Sequence, residues 1–221
     1  MRAEPGKAEG GNDELMLGVL SAVDADAKIS QRDLSRELGV ALGLANAYLK
    51  RCVRKGYIKM QQMPRRRYAY YLTPHGLSEK ARLTGEYLTS SLQFFRRART
   101  QIDRLMADCD ARGWRNVALA GASEIAEIAT LTAHHHDVRL MGIVDPALGR
   151  NRFCGLPVAG TLAELGAIDA VIITRIGPED GTTEAMQAAL GRDRVLAPDL
   201  VRAAHAGGAK RRAAKASGQE T

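Results

Sequence analysis

The segment 30–72 constrains the fold most strongly, because it alternates two helical patterns with two strand patterns. Ser30 suits the N-cap of a short helix that Gly39 ends. A second helix is predicted from about Ala41 to Lys55, and Gly56 ends it. The letters YIKMQQ, PRRR and YAYYL follow, which predict a strand, a turn with a basic tip and a second strand. The segment therefore predicts a helix-turn-helix followed by a hairpin.

The second helix of this segment carries the pattern of a DNA-reading surface. Its small outward residues would let the backbone approach base edges in the major groove. Asn46 is predicted to pair with adenine through its carboxamide. The basic residues that follow are expected to contact phosphates, and the tip 64–67 is expected to contact the minor groove or its flanking phosphates. For any one of these residues, a solvated helix face is the alternative. The predicted DNA-contacting residues are Ser30, Gln31, Arg32, Ala41, Gly43, Leu44, Asn46, Ala47, Lys50, Arg51, Arg54, Arg65, Arg66 and Arg67.

The inner side of the same helix pair is predicted to be apolar. The residues expected to hold the two helices together are Leu34, Leu38, Val40, Ala45, Leu49, Cys52 and Val53.

The positive charge is confined to one half of the chain. The net charge is +7, and residues 1–112 hold 20 lysines and arginines against 13 aspartates and glutamates, an excess of seven. Residues 113–221 hold 12 of each, so the second half is neutral. A localised basic stripe is typical of a surface that binds a polyanion, and a solvated basic face is the alternative. Together with the helix-turn-helix and the hairpin, this charge predicts double-stranded DNA as the partner.

The rest of the chain divides into segments that differ in composition and hydrophobic pattern. Residues 1–12 are predicted to be disordered, and apolar residues from Leu15 to Val23 predict a first helix of about three turns. Thr73 and Pro74 open a long apolar stripe that reaches about Ala111. Such a helix needs a covering surface, which is either a second copy of the chain or its own C-terminal domain. The predicted divisions are a winged helix over 13–73, a linking or dimerisation helix over 74–112, an α/β domain over 113–206 and a basic disordered tail over 207–221.

The second half alternates short apolar strands with amphipathic helices, which predicts βαβ units and a parallel sheet. Its first strand ends in Gly121-Ala-Ser-Glu-Ile-Ala126, in the position of a G-x-G-x-x-G/A phosphate loop whose middle glycine is replaced by Ser123. Asp145 ends the next strand, where an acid can bond a ribose hydroxyl. The ligand-binding residues predicted from this pattern are Gly121, Ser123 and Asp145.

Nothing in the sequence indicates catalysis or a metal site. The histidines His134, His135 and His136 are consecutive, so on a helix they point in different directions and do not share an ion. Cys154 has no evident base, and Ser123 lacks the G-x-S-x-G elbow. We therefore expect no enzyme activity.

The expected compartment is the bacterial cytoplasm, with the protein on the nucleoid when DNA is bound. The three cysteines (Cys52, Cys109 and Cys154) are far apart and form no CxxC motif, which favours a reducing environment. The N-terminal residues contain no apolar signal region and no stretch is long enough to cross a bilayer, so no membrane partner is expected.

Two resemblances add to these predictions. Residues 13–100 resemble the winged helix domain of MarR-type regulators, particularly a group associated with exopolysaccharide gene clusters, through SQRDLSRELGV, LANAYLKRCVRKGYIK and YLTPHGLSEKARLTGEYL. That resemblance implies a homodimer on a pseudo-palindromic operator, with the long helix in the interface. The segment GIVDPALGRNRFCGLPVAGTLAEL is similar to the nucleotide-binding domain of Rex-type repressors, to sugar-modifying acyltransferases and to CoA-binding-like domains. It implies a small anionic or nucleotide-containing effector near Gly121, Ser123, Asp145 and Arg175, which could be a nucleotide, a CoA ester or a nucleotide sugar.

The predicted fold is therefore an α+β winged helix domain followed by a long helix and a small α/β Rossmann-like parallel-sheet domain. The predicted function is a dimeric, sequence-specific transcriptional regulator that senses an effector. Two alternatives stay open at this point. One is a nucleotide-dependent oxidoreductase or sugar-modifying enzyme with a DNA-binding appendage, and the other is an architectural DNA-binding protein without an effector.

Overall fold

A computed structural model describes residues 6–64, 67–176 and 181–206, without the side chains of residues 6–10 and 67. The chain divides into two compact units, Met1–Leu92 and Gln93–Thr221. In the described residues, no helix combines the length and the apolar character needed to span a bilayer.

The first unit has the order of elements that the sequence predicts. Helices α1 (Gly6–Ala25), α2 (Gln31–Glu37) and α3 (Leu42–Arg54) precede strands β1 (Ile58–Met63) and β2 (Arg67–Leu72), and α4 (Pro74–Ala111) follows. The two strands are antiparallel, with Ile58 opposite Leu72. These elements form a winged helix, as predicted.

Local capping sets the element boundaries in this unit. The Ser30 hydroxyl accepts a hydrogen bond from the backbone N–H of Asp33 at 3.1 Å, which caps α2. Thr73 caps α4 in the same way, because its hydroxyl accepts from the N–H of Gly76 at 3.0 Å. The hairpin is joined to the segment before α2 by a bond from the N–H of Tyr70 to the carbonyl of Ala27 at 2.8 Å.

The core of the first unit is formed where α1, α2 and α3 meet. Its largest fully buried side chains include Met16, Leu20 and Leu34. Tyr48 is also buried, and its hydroxyl donates a hydrogen bond to the side chain of Asn12. The prediction of disorder over residues 1–12 is wrong for residues 6–12, which belong to α1. The glycines and charges of that stretch indicate disorder locally, whereas the contact with Tyr48 connects it to the core.

The second unit contains a six-stranded mixed sheet. Its elements are β3 (Asn116–Ala120), α5 (Glu124–Ala133), β4 (Arg139–Val144), β5 (Arg152–Phe153), β6 (Leu156–Ala159), β7 (Ala170–Ile173), α6 (Thr182–Leu190) and β8 (Val195–Leu196). The strand order is β5-β6-β4-β3-β7-β8, in which only the pair β5–β6 is antiparallel. This arrangement is Rossmann-like, as predicted. The predicted helix at TLAELGA is a 3-10 turn, Leu162–Leu165, and β5 was not predicted.

Helix α4 contributes residues to both units. Its later residues Ala98, Ile102, Met106 and Cys109 have no exposed surface and belong to the same core cluster as the sheet. Leu83 is buried in the core of the first unit. The alternative in which the stripe packs on the C-terminal domain therefore holds for the last part of the helix.

Candidate nucleic-acid interface and ligand site

One side of α3 is packed and the other is exposed. Ala45, Tyr48, Leu49 and Cys52 are buried. Burial raises the pKa of the Cys52 thiol to about 11, although Arg51 and Lys55 lower it, so this thiol stays protonated at neutral pH. We call the exposed side the recognition face, and it consists of Leu42, Gly43, Leu44, Ala47, Lys50 and Arg54.

The middle line of the recognition face is formed by Gly43, Ala47, Lys50 and Arg54. These residues follow the spacing i, i+4, i+7 and i+11, which places them in one row along the helix. The first two are small and the last two are cationic. The face is therefore suited to close approach at the start of the helix and to phosphate contact near its end.

Asn46 lies at the edge of the recognition face. It is half-buried, and its side-chain oxygen is buried with no hydrogen-bond partner among the described residues. Pairing with adenine needs both ends of the carboxamide. In this conformation the carboxamide oxygen is turned inward, and pairing of Asn46 with adenine stays a prediction.

Gln31 and Arg32 at the start of α2 have exposed side chains, and their contact with DNA stays a prediction. The hydroxyl of Ser30 caps the helix and donates to the carboxylate of Asp33 at 2.6 Å, so this group is already engaged. A groove of about 820 Å³ lies between this end of α2 and the hairpin residues Met63, Pro64, Tyr68 and Tyr70.

Electrostatics favour an anionic partner at this surface. The sequence contains no aspartate or glutamate from Leu38 to Ser78, a stretch that includes all of α3 and the hairpin. The N-cap residue Ala41 supplies no side-chain bond and the first turn of α3 contains no acid. The N–H of Leu44 donates to the carbonyl of Ala41, so the N–H groups of Leu42 and Gly43 are the ones suited to a phosphate. Arg65 and Arg66 lie outside the described residues, as does the side chain of Arg67.

The predicted ligand residues of the second unit come together at one edge of the sheet. The chain passes from β3 to β4 on one side and later returns to β7 on the other. The carboxyl ends of β3 and β7 therefore form a topological switch point, where open α/β sheets bind ligands. Gly121, Ser123, Asp145 and Arg175 all follow strand ends at this edge.

Gly121 and Ser123 have structural roles at this edge. Gly121 has a φ of +100°, and a Cβ there would lie 2.5 Å from the Cβ of Arg175, so only glycine fits. The Ser123 hydroxyl donates to the carbonyl of Thr174 at 2.6 Å and accepts from the N–H of Ile125 at 3.1 Å. Ser123 thus caps α5 and connects it to β7. The contact with Thr174 was not predicted, because only the fold brings the two segments together.

Asp145 is held in a network of its own. The residue is 6% exposed, and it accepts from the N–H of Ala122 at 2.9 Å and from the Arg175 guanidinium at 2.9 Å. Burial raises its pKa, but the hydrogen bonds from Ala122 and Arg175 outweigh burial and hold the pKa below its ordinary value. A ribose hydroxyl at Asp145 would therefore compete with these donors. Glu124 and Glu127 in the first turn of α5 disfavour an anion at that helix N-terminus, so Arg175 is the group at this edge that an anion would contact.

Metal-ligating side chains elsewhere in the described residues do not form a metal site. Among the residues that the structure describes, no three histidine, cysteine or acidic side chains are placed to hold a metal ion. The side chain of His136 is engaged with Asp103 at 2.9 Å.

Comparison with known proteins supports the winged helix-turn-helix fold of the first unit. A family model described as winged helix-turn-helix DNA-binding matches residues 12–59 and does not extend into the α/β unit. A search of curated protein sequences finds no match.

Two solved structures of regulators are similar over part of the chain. The PcaV transcriptional regulator from Streptomyces coelicolor is 24% identical over 37% of this chain and 59% of its own, with a TM-score of 0.34. MepR, a transcription regulator of a Staphylococcus aureus multidrug efflux pump, is 18% identical over 36% of this chain and 61% of its own, with a TM-score of 0.32. The chain thus spans about three-fifths of these regulators, and at such TM-scores the likeness does not decide between functions. What the matched family model establishes is a winged helix-turn-helix of the DNA-binding kind in the N-terminal unit.

Proposed function

We propose that the protein is a homodimeric transcriptional regulator that binds a specific DNA sequence through the recognition face of α3. The observation that carries this proposal is an exposed helix face with small residues at its start and cations near its end, in a segment without acids from Leu38 to Ser78. A protein surface of this kind is complementary to the phosphates that border a major groove.

The proposal assigns separate tasks to the parts of the winged helix. Gly43 and Ala47 let the backbone of α3 approach the bases. Lys50, Arg51 and Arg54 contact phosphates and fix the register of the helix on the duplex. The wing tip, with Arg65 to Arg67, extends the contact to the next groove.

Selection from random duplexes tests the proposal, followed by footprinting of the selected sequence. We expect a protected site with two related half-sites, about one helical turn apart from centre to centre. Arg54→Ala should weaken binding to the selected duplex, whereas Arg139→Ala should leave it unchanged, because Arg139 is an exposed arginine of the second unit. Uniform protection of all DNA would contradict the proposal and support the architectural alternative.

The dimer is proposed to form through the middle of α4. Five exposed apolar residues, which we call the α4 patch, lie between Leu83 and Ala98: Tyr87 (51% exposed), Leu88 (54%), Leu92 (56%), Phe94 (37%) and Phe95 (46%). Leu88, Leu92 and Phe95 follow the spacing i, i+4 and i+7, so they form one stripe. A contiguous apolar stripe is typical of an interface. A second copy is the favoured occupant, because a two-fold axis brings the same stripe against itself.

Sedimentation of the full-length chain tests the dimer. Leu92→Glu would place two like charges at the two-fold axis and should give a monomer. Leu131→Glu is the matched control, since Leu131 is 72% exposed on α5. A wild-type monomer, or a Leu92→Glu variant that stays dimeric, would contradict this part of the proposal.

The α/β unit is proposed to sense a small anionic effector at Gly121, Ser123, Asp145 and Arg175. Its position at the switch point supports this role. Because Asp145 already accepts from Arg175, a carboxylate or phosphate that competes for Arg175 is a more suitable ligand group than a neutral hydroxyl. A nucleotide, a CoA ester or a nucleotide sugar would each supply such a group.

Thermal unfolding with each ligand class tests effector binding. The one tryptophan, Trp114, lies in the second unit and reports on its unfolding. A ligand that binds only the folded state must raise the melting temperature, and Arg175→Gln should reduce that rise while Arg139→Gln should not. If NAD(H), CoA esters and nucleotide sugars all leave the temperature unchanged, sensing of these classes is wrong.

A further inference from the structure

The fully exposed residues at the start of α3 have apolar side chains or, at Gly43, no side chain. Ala41, Leu42, Gly43, Leu44 and Ala47 are exposed, and both leucines are 42% exposed. No exposed residue from 41 to 47 has a side chain that can donate or accept a hydrogen bond.

Asn46 is the one polar residue between Ala41 and Ala47. It is half-buried, and its side-chain oxygen is buried. The first exposed side chain with a hydrogen-bond donor on α3 is Lys50, which begins the cationic part of the recognition face. An ammonium or a guanidinium at that end suits phosphates.

The chemistry of the major groove limits what such a surface can read. Guanine, cytosine and adenine present hydrogen-bond donors and acceptors there, whereas thymine also presents a C5 methyl group. Exposed leucine and alanine side chains gain free energy by covering a methyl group and gain none from a donor or acceptor left without a partner. The apolar start of α3 therefore matches thymine.

We propose that Leu44 and Ala47, with Leu42 at the other edge of the face, select thymines in the operator through their methyl groups. This inference rests on the proposed DNA-binding function. Ala47 lies on the middle line of the recognition face, and Leu44 is its neighbour one turn earlier. The cations of the same helix and the absence of acids from Leu38 to Ser78 favour DNA over an apolar protein as the occupant.

Replacement of thymine by uracil in the selected operator tests this directly. Uracil keeps every hydrogen-bonding group of thymine and lacks the methyl. At thymines that face α3 we expect a loss of about fourfold in affinity for each methyl removed, from about 0.8 kcal/mol for each apolar carbon buried. Uracil at the flanks of the site should have no effect.

Protein variants link that loss to particular side chains. Leu44→Ala and Leu42→Ala should bind the thymine and uracil operators with more nearly equal affinity than the wild type does. Leu77→Ala is the control, because Leu77 is a 50% exposed leucine on α4, and it should keep the full preference. Alanine favours a helix, so the α3 variants should fold, which tyrosine near-UV circular dichroism can verify.

The outcomes separate this inference from the proposed function. Selective binding without loss at any uracil would overturn the methyl contact while the regulator proposal stands. Full uracil sensitivity in both leucine variants would overturn the assignment to Leu42 and Leu44. If no duplex is preferred and a protein binds the face instead, both the proposed function and this inference fail.

Discussion

Gly76 is the position at which a single methyl group should do most damage to the winged helix. It lies in the first turn of α4, where the chain returns to the end of α3. The carbonyl of Tyr57 accepts a hydrogen bond from the N–H of Thr73 at 3.0 Å. A Cβ at residue 76 would lie 2.0 Å from that carbonyl oxygen and 2.9 Å from its carbon. Gly76→Ala therefore forces either α4 or the Tyr57 backbone to move.

The cost can be worked from these contacts. Ordinary contact with a Cβ begins at 3.4 Å, so the oxygen must move by more than 1 Å. Overpacking costs about 1–3 kcal/mol, and loss of the Thr73 bond adds about 1 kcal/mol. The higher helix propensity of alanine offsets about 1 kcal/mol of this loss. We expect the free energy of unfolding of the first unit to fall by about 1–3 kcal/mol.

The distribution of aromatic residues provides the assay. All six tyrosines lie in Met1–Leu92, and the one tryptophan lies in Gln93–Thr221. Urea unfolding followed by tyrosine near-UV circular dichroism should shift for Gly76→Ala, whereas tryptophan fluorescence should shift much less. Gly11→Ala is the control, since a Cβ there has nothing within 4 Å, and it should stabilise by about 0.5–1 kcal/mol. Equal stability of the two variants would refute the reasoning.

Three further perturbations follow from the contacts described above. Asp145→Asn removes the charge that faces Arg175, so the free energy of unfolding of the second unit should fall by about 3 kcal/mol. Urea unfolding followed by tryptophan fluorescence measures this loss, and an unchanged midpoint would contradict a stabilising ion pair. Because the folded pKa of Asp145 is lowered, its stabilisation is complete above the ordinary value of 3.8 and is lost as the pH falls through the folded pKa. The wild type should therefore lose more stability on acidification than Asp145→Asn does, and parallel acid limbs would exclude this contribution. Ser30→Ala removes the cap of α2 and should lower the free energy of unfolding of the first unit by about 1 kcal/mol, measured by tyrosine circular dichroism. Ser78→Ala is the surface control, and an equal loss in that variant would count against capping.

The winged helix could be predicted from the sequence because its signals are local. Caps such as Ser30 and Thr73 act within three residues, and the hairpin follows from two short strand patterns around a turn. The half-burial of Asn46 could not be predicted, because helical periodicity leaves the exposure of a residue at the edge of a helix face ambiguous.

At the ligand site, the positions of the residues could be predicted from the sequence, but the hydrogen bonds among them could not. The positions of Gly121, Ser123 and Asp145 follow from strand ends, so the topology alone places them at one edge. The hydrogen bonds among them depend on segments far apart in the chain, such as Ser123 with the carbonyl of Thr174 at 2.6 Å. The long helix was likewise ambiguous, since its apolar stripe gives no sign that Ile102 packs on the sheet while Leu92 stays exposed.

The central claim, sequence-specific DNA binding, is tested most directly by affinity for the selected duplex and for a scrambled one across a range of salt concentrations. We expect the selected duplex to bind at least about a thousandfold more tightly at physiological salt. Replacing Arg65, Arg66 and Arg67 by alanine should reduce the slope of log affinity against log salt by about one for each phosphate that the protein no longer neutralises. Equal affinity for the two duplexes would contradict the account.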